Sequence, residues 1–157
     1  RKGTSKTSEV HLKPFVSMVL DDLAHLPKYL RVKFNIEVPD QATLVTDRVL
    51  LQSVFKNLIH NAINYSSRRD PQVEIILREN EKTIELAVAD NGEGIPEAIQ
   101  PKIFDMFYRG HLESEGSGLG LFVVKNALEK MKGAIRFQTT AGKGTVFYVT
   151  FPKILLD

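Results

Sequence analysis

Apolar residues recur at intervals of three and four near the start of the chain. Phe15, Val16, Met18, Val19, Leu20, Leu23 and Leu26 follow this spacing, which predicts a helix from Pro14 to about Leu30, with the proline in its first turn. Glu9 to Leu12 reads as a short strand before it. Val32, Phe34, Ile36 and Val38 then alternate with polar residues, the period of a half-buried strand. Pro39-Asp40-Gln41 turns the chain into a second short strand, Ala42 to Val45. Thr46 or Asp47 can cap the next helix, which runs to about Tyr65. Gln72 to Arg78 and Thr83 to Ala89 are apolar strands, with Glu79-Asn80-Glu81-Lys82 as their hairpin link. From Asn91 to Gly118 the pattern breaks up into glycine and charge. Leu119 to Lys132 reads as a third helix, stopped by Gly133 at its C-cap. Ala134 to Thr139 and Thr145 to Phe151 form a closing hairpin around Ala141-Gly142-Lys143-Gly144.

This order predicts a two-layer α/β (α+β) sandwich, with a mixed, mostly antiparallel sheet covered on one face by helices. It lacks the strict βαβ alternation of a Rossmann fold. The 157 residues fit one domain, and a 43% hydrophobic fraction supports a full core. A net charge of +2 gives no electrostatic footprint for nucleic acid or an anionic membrane. The absence of cysteine excludes disulfides and thiolate metal sites. No stretch reaches the roughly 18 to 20 apolar residues that span a bilayer. The polar residues 1–8 read as a linker or tail from a preceding segment, or as an artificial tail, with the domain at 9–157.

Three segments carry candidate chemistry. On the second helix, Leu51, Phe55, Leu58 and Ala62 form an apolar face, while Gln52, Lys56 and His60 form a solvent face. Asn57, Asn61, Asn64 and Tyr65 fall on a stripe between them. Asparagine is a mediocre helix former, so this stripe reads either as the polar wall of a pocket whose amide oxygens suit Mg²⁺, or as a solvated surface. Next, Asp90-Asn91-Gly92-Glu93-Gly94-Ile95 places a carboxylate at the end of an apolar strand. A carboxylate accepts hydrogen bonds only and suits an exocyclic amino group; the bland reading is an ordinary turn. Finally, Gly116-Ser117-Gly118-Leu119-Gly120 opens the third helix, an arrangement that turns backbone N–H groups and the helix dipole toward an anion. The alternative is a flexible loop. Between the two glycine turns, Phe104, Phe107, Tyr108 and Arg109 suggest a segment that packs onto the body, with Arg109 able to meet a phosphate.

Taken in register, these segments resemble the ATPase domain of sensor histidine kinases, within the superfamily that includes DNA gyrase B, the large heat-shock chaperones and MutL. N-L-I-H-N-A-I-N-Y-S is similar to the asparagine box, and D-N-G-E-G-I-P to the first glycine box. I-F-D-M-F-Y-R is similar to the phenylalanine box, G-S-G-L-G-L to the second glycine box, and G-K-G-T-V-F-Y-V-T-F-P to the closing hairpin. The resemblance covers about residues 9–153 and implies the Bergerat fold, with ATP held between helices and a lid at 95–115.

It also implies roles. Asn61 would ligate Mg²⁺ through its amide oxygen, supported by Asn57, with Asn64 and Tyr65 against the nucleotide. Asp90 would bind the adenine amino group, Gly92, Gly94 and Ile95 would line the base pocket, and Thr145 would lie near it. Tyr108 and Arg109 would belong to the lid. Gly116, Ser117, Gly118, Leu119 and Gly120 would surround the phosphates. Many relatives carry Lys where Asn64 stands, so that charge would come from elsewhere, from Lys56 or Arg109.

None of His11, His25, His60 and His111 has the context of a phosphoacceptor. The implied partners are therefore ATP, a separate dimerisation and histidine-phosphotransfer domain, and a downstream response regulator. The resemblance implies a cytoplasmic domain that touches neither nucleic acid nor membrane, although its parent could be membrane-anchored. Two other activities of the superfamily compete: an ATP-gated conformational ATPase and an anti-sigma serine kinase. The first uses a Glu to activate water where this chain has Asn57, and an amide is no general base.

Overall fold

The computed structural model describes residues 6–105 and 120–153. Its strands are β1 (Thr7–His11), β2 (Lys33–Glu37), β3 (Thr43–Asp47), β4 (Gln72–Glu79), β5 (Thr83–Asp90), β6 (Ala134–Thr140) and β7 (Gly144–Pro152). The helices are α1 (Leu12–Leu23), α2 (Arg48–Tyr65) and α3 (Gly120–Met131), with short 3₁₀ turns at Tyr29–Arg31 and Glu97–Lys102. β1 and β3 form an antiparallel pair, and the main sheet has the order β2-β4-β5-β7-β6. Only the β2–β4 pairing in it is parallel. The expected mixed, mostly antiparallel sheet is present.

Alternation decides which face of that sheet is covered. Ile75 pairs with Val88, and Leu77 with Leu86, which in turn pairs with Val149. All five are buried beneath the helices. The opposite face carries Glu85 and Tyr148, with the Arg136 guanidinium 3.9 Å from the Tyr148 ring centroid and 3.4 Å from Glu85. Phe15 of α1 meets Phe55 of α2 edge-on at 5.3 Å, and Phe55 meets Phe151 of β7 at 6.2 Å. That aromatic column fastens the helical layer to the sheet. No described helix is long and apolar enough to cross a membrane.

β1 begins at Thr7, inside the stretch 1–8 expected to be a linker or tail, because Thr7 and Ser8 pair with Asp47 and Thr46 of β3. Three further details differ from the sequence expectation. First, α1 ends at Leu23 instead of near Leu30. Pro27 offers no N–H and pushes Leu26 out of helical backbone, so the chain continues through tight turns such as Leu26 N–H to Leu23 O at 3.1 Å. Leu26 and Tyr29 still pack on the core, which is why the apolar spacing continues past the helix end. Second, the alternation over β2 is only half used. Phe34 is half-buried, but Ile36 is 43% exposed because β2 is the sheet's outer edge. Third, the left-handed residue ending α3 is Lys132, at φ 60°, and not Gly133. The N–H groups of Lys132 and Gly133 bond back to Glu129 and Leu128 at 3.3 and 2.8 Å, a Schellman motif. Gly133 is glycine for closeness: a Cβ there would stand 2.7 Å from the Thr150 carbonyl oxygen of β7.

Candidate functional site

The asparagine stripe is set by where α2 begins. Asp47, one of the two expected caps, accepts from the N–H groups of Val49 and Leu50 at 3.0 and 3.1 Å. The helix then runs to Tyr65, and its apolar face is wider than the sequence suggests, since Val54, Ile59 and Ile63 are buried as well. Asn57 donates its side-chain N–H to the Ser53 carbonyl at 2.7 Å, so its amide oxygen is the half that faces outward. A Cβ on Gly120 would lie 3.4 Å from that oxygen, which places Asn57 beside the first residue of α3. Asn61 is half-buried, and its amide bonds to no described residue. Asn64 lies 3.4 Å from His60 Nδ1. His60 is thus half-buried and engaged with the stripe, a correction to its expected place on the solvent face. Lys56 is exposed as expected, Gln52 is half-buried, and Tyr65 is 37% exposed.

Asp90 ends β5 opposite the last turn of α2. Its Oδ1 accepts from Gly92 N–H at 2.9 Å and from Thr145 N–H at 3.4 Å. No described residue donates to Oδ2. Burial pushes the carboxyl above the usual carboxylate range, against the two backbone donors and the Lys28 ammonium. The carboxylate therefore has one oxygen fixed by the backbone and the other without a donor among the described residues.

The glycines of the first turn serve the protein's own backbone. A Cβ on Gly92 would fall 1.9 Å from the Tyr65 carbonyl oxygen, and one on Gly94 would fall 2.7 Å from the Thr140 carbonyl oxygen. Gly94 also has φ 84°. Gly144, with φ 127°, packs equally tightly on the Asp90 carbonyl. Glycine at these positions is required by the chain's own packing. It lets the turn sit between α2 and the β6–β7 hairpin. Ile95 is half-buried against the core, and its N–H donates to Thr139 Oγ1 at 2.8 Å.

Three functional neighbours were missed by the sequence reading. Asn91 bridges three backbone groups: its Oδ1 accepts from Ser67 and Gln72 N–H, both at 3.0 Å, and its Nδ2 donates to Asp70 O at 2.8 Å. Its D-N-G context signalled only a turn. Lys28 donates to the carbonyls of Ser66 and Asn64 at 2.5 and 3.5 Å, capping the C-terminus of α2. Desolvation, then the Arg31 and Arg68 charges, hold its pKa below the usual lysine range, with Asp90 opposing. Thr139 meets Thr145 Oγ1 at 2.9 Å. Nothing local in the sequence marks the last two.

Phe104 does pack onto the body, 6.3 Å from Phe137 and 6.5 Å from Phe147, with the Lys125 ammonium 5.3 Å from its ring centroid. Tyr108, Arg109, Gly116, Ser117, Gly118 and Leu119 lie outside the described residues. Of the remaining candidates, Asn57 and Gly120 meet at one end of the site. Tyr65, Asp90, Gly92 and Thr145 meet at the other, about 12 Å along α2 at 1.5 Å per residue. Among the described residues no group of three or more His, Asp or Glu could hold a metal ion. A cation here would rest on amide oxygen and on oxygens brought by a ligand, the pattern that suits Mg²⁺.

Comparison with known proteins identifies the family and the fold. Residues 46–155 match the family described as histidine kinase-, DNA gyrase B-, and HSP90-like ATPase. The sensor histidine kinase AtsR of Burkholderia thailandensis is 30% identical over 155 residues, covering 94% of this chain and 26% of that protein. The chain therefore spans about a quarter of the length of that relative. A mycobacterial sensor histidine kinase, MprB, superposes with a TM-score of 0.81 at 24% identity, covering 94% of this chain and 98% of that one. Full-length ShkA in complex with AMPPNP superposes with a TM-score of 0.78 at 19% identity, covering 98% of this chain and 33% of that one. The chain belongs to the histidine kinase-, DNA gyrase B-, and HSP90-like ATPase family, and its counterparts there are the catalytic ATP-binding domains of sensor histidine kinases.

Proposed function

We propose that this domain binds Mg-ATP along α2 and donates the γ-phosphoryl group to a histidine on a separate helical domain of its parent protein. The observation that carries the reading is the Asp90 carboxylate, with Oδ1 held by Gly92 and Thr145 and Oδ2 without a donor among the described residues, at one end of the α2 stripe of Asn57, Asn61 and Asn64. Oδ2 accepts from the adenine amino group, with Gly92, Gly94, Ile95 and Thr145 around the base and Tyr65 beside it. Asn61, its amide uncommitted, offers its oxygen to Mg²⁺, and Asn57 supports it from one turn earlier. Asn64 faces the nucleotide between these ends. Gly120, with residues 116–119, surrounds the phosphates at the N-terminus of α3. Tyr108 and Arg109 complete the site from the lid.

Magnesium would neutralise charge on the phosphates as the γ-phosphoryl leaves; the protein's own contribution is positioning. Asn57 stands where the water-activating Glu of the conformational ATPases would be, and its N–H is spent on Ser53 O, so direct hydrolysis is slow. The Lys28 ammonium, committed to the α2 carbonyls, steadies the base end rather than the phosphates. The phosphorylated parent then passes its phosphoryl group to a response regulator.

The test is phosphotransfer from labelled ATP to a separately supplied histidine-bearing helical domain of the parent. Label is expected on that domain and none on this chain alone. Stable phosphohistidine on the isolated chain would overturn the reading.

A further inference from the structure

β2 is an open edge of the main sheet, and its sequence, Lys33-Phe34-Asn35-Ile36-Glu37, runs from a cation to an anion about a central asparagine. Parallel pairing with β4 decides which main-chain groups are spent. Lys33 stands opposite Gln72 and gives its N–H to the Pro71 carbonyl at 2.9 Å. By alternation the main-chain groups of Lys33, Asn35 and Glu37 turn inward to β4, and those of Phe34 and Ile36 turn outward. No described residue bonds to the outward groups. The side chains alternate too. Phe34 and Ile36 pair with the buried Val73 and Ile75 on the helix-covered face, while Lys33, Asn35 and Glu37 stand on the other. Ile36 is 43% exposed, and Leu30, in the turn that leads into β2, is 90% exposed. The Lys33 ammonium reaches Asp70 at 3.4 Å and Glu37 accepts from the Asn35 amide at 3.3 Å, but both charged side chains lie in solvent.

An unpaired strand edge is a template for another strand, and the sequence of this edge says which one. A second copy laid antiparallel, about a two-fold axis at Asn35, sets Phe34 opposite the second copy's Ile36. Each such pair exchanges its outward N–H and C=O groups. The same register sets Lys33 opposite the second copy's Glu37 at both ends, in the positions where cross-strand side chains approach most closely. A one-residue slip would set outward groups against inward ones. Parallel pairing would set Lys33 against Lys33 and Glu37 against Glu37. We propose that β2 is a homotypic docking edge, through which two copies of this chain join their five-stranded sheets into one, with Lys33–Glu37 pairs fixing the register. The Phe34–Ile36 contacts then cover the apolar side chain that the free edge leaves in water. So short an edge buries little surface, so dimers form only at about 0.1–1 mM chain.

The test is sedimentation equilibrium of the chain over a concentration series reaching about 1 mM, with amide hydrogen exchange read at Phe34 and Ile36. The wild type should show a monomer–dimer equilibrium, and exchange at those two amides should slow as concentration rises. Lys33→Glu or Glu37→Lys alone opposes like charges and should weaken dimerisation about ten-fold. The two substitutions together exchange the charges and should restore it to within about three-fold of wild type, a rescue that a merely structural effect would not give. Ile36→Pro removes an outward N–H and spares the β4 bonds, so it should abolish the dimer. A wild type that stays monomeric throughout the series overturns the inference, even if β2 pairs with an unrelated extended peptide. So does a dimer that survives Ile36→Pro or leaves the Phe34 and Ile36 amides unprotected. Single reversals without effect, or a double reversal without rescue, overturn the register.

Discussion

Asp90 Oδ1 lies 2.9 Å from the backbone N of Gly92. This bond, with the one from Thr145 N–H, fixes which oxygen of the carboxylate the backbone holds; among the described residues the other has no donor. In Asp90→Asn the amide oxygen takes the seat of Oδ1, because two N–H donors already point there. The new NH₂ then faces outward, toward the adenine amino group, donor against donor. ATP affinity is expected to fall about 100-fold, since a site built to pair one pattern strongly rejects its opposite. The substitution also removes a charge whose burial is unfavourable, so the unfolding temperature should rise. Affinity loss with a raised midpoint, read by calorimetry and thermal melts, separates a binding role from a folding role. A lowered midpoint would contradict it.

The raised pKa of Asp90 gives a pH signature. A carboxyl raised in the folded state contributes stability that is fully present below its ordinary unfolded value and lost as pH rises through the folded value. The proposed adenine contact has the opposite sense: it needs the ionised form and weakens as pH falls through that same raised value. ATP affinity should therefore start to drop at a pH above the range of an ordinary aspartate. The same titration with Asp90→Ala should lack that step.

Asn91 joins the start of β4 to the turn after β5 through three hydrogen bonds. Asn91→Ala should cost about 2–4 kcal/mol, because it strands two N–H groups and one carbonyl. Asn91→Asp keeps the oxygen that accepts from both N–H groups and replaces the donor to Asp70 O with a second oxygen, so part of the loss should return. Urea unfolding of the two variants checks the order; equal losses would contradict it.

The first and second glycine turns should respond differently to alanine. Gly92→Ala puts a Cβ within 1.9 Å of the Tyr65 carbonyl oxygen, so the turn must leave α2; unfolding free energy should drop by more than about 3 kcal/mol. Gly120→Ala finds Asn57 Oδ1 at 3.4 Å and exchanges glycine for a strong helix former at the start of α3. It should leave stability within about 0.5 kcal/mol of wild type, as read by chemical denaturation.

Lys28→Met keeps most of the aliphatic stem and removes the ammonium from the Ser66 and Asn64 carbonyls. A cation at a helix C-terminus contributes about 0.3–1 kcal/mol, and that is the loss expected in a urea melt. ATP affinity should fall only slightly, because this lysine acts on the helix end and not on phosphate.

How legible all this is from sequence depends on range. The α2 stripe, its Asp47 cap and the β4–β5 and β6–β7 hairpins follow from local period and turn chemistry, and they are found where the pattern places them. α1 misleads because Leu26 and Tyr29 stay on the core after Pro27 has ended the helix; periodicity records burial, not backbone. The reason for Gly92 is invisible locally, since Tyr65 stands far from it in the chain. Thr139 and Lys28 are missed for the same cause. Their importance comes from partners that only the folded sheet brings near.

The central claim is an ATP pocket closed by Asp90, and calorimetric titration of Mg-ATP into the wild type and Asp90→Ala tests it most directly. Saturable one-site binding by the wild type, weakened at least ten-fold in the variant, is the predicted result. Equal binding by both, or none by the wild type, would contradict it.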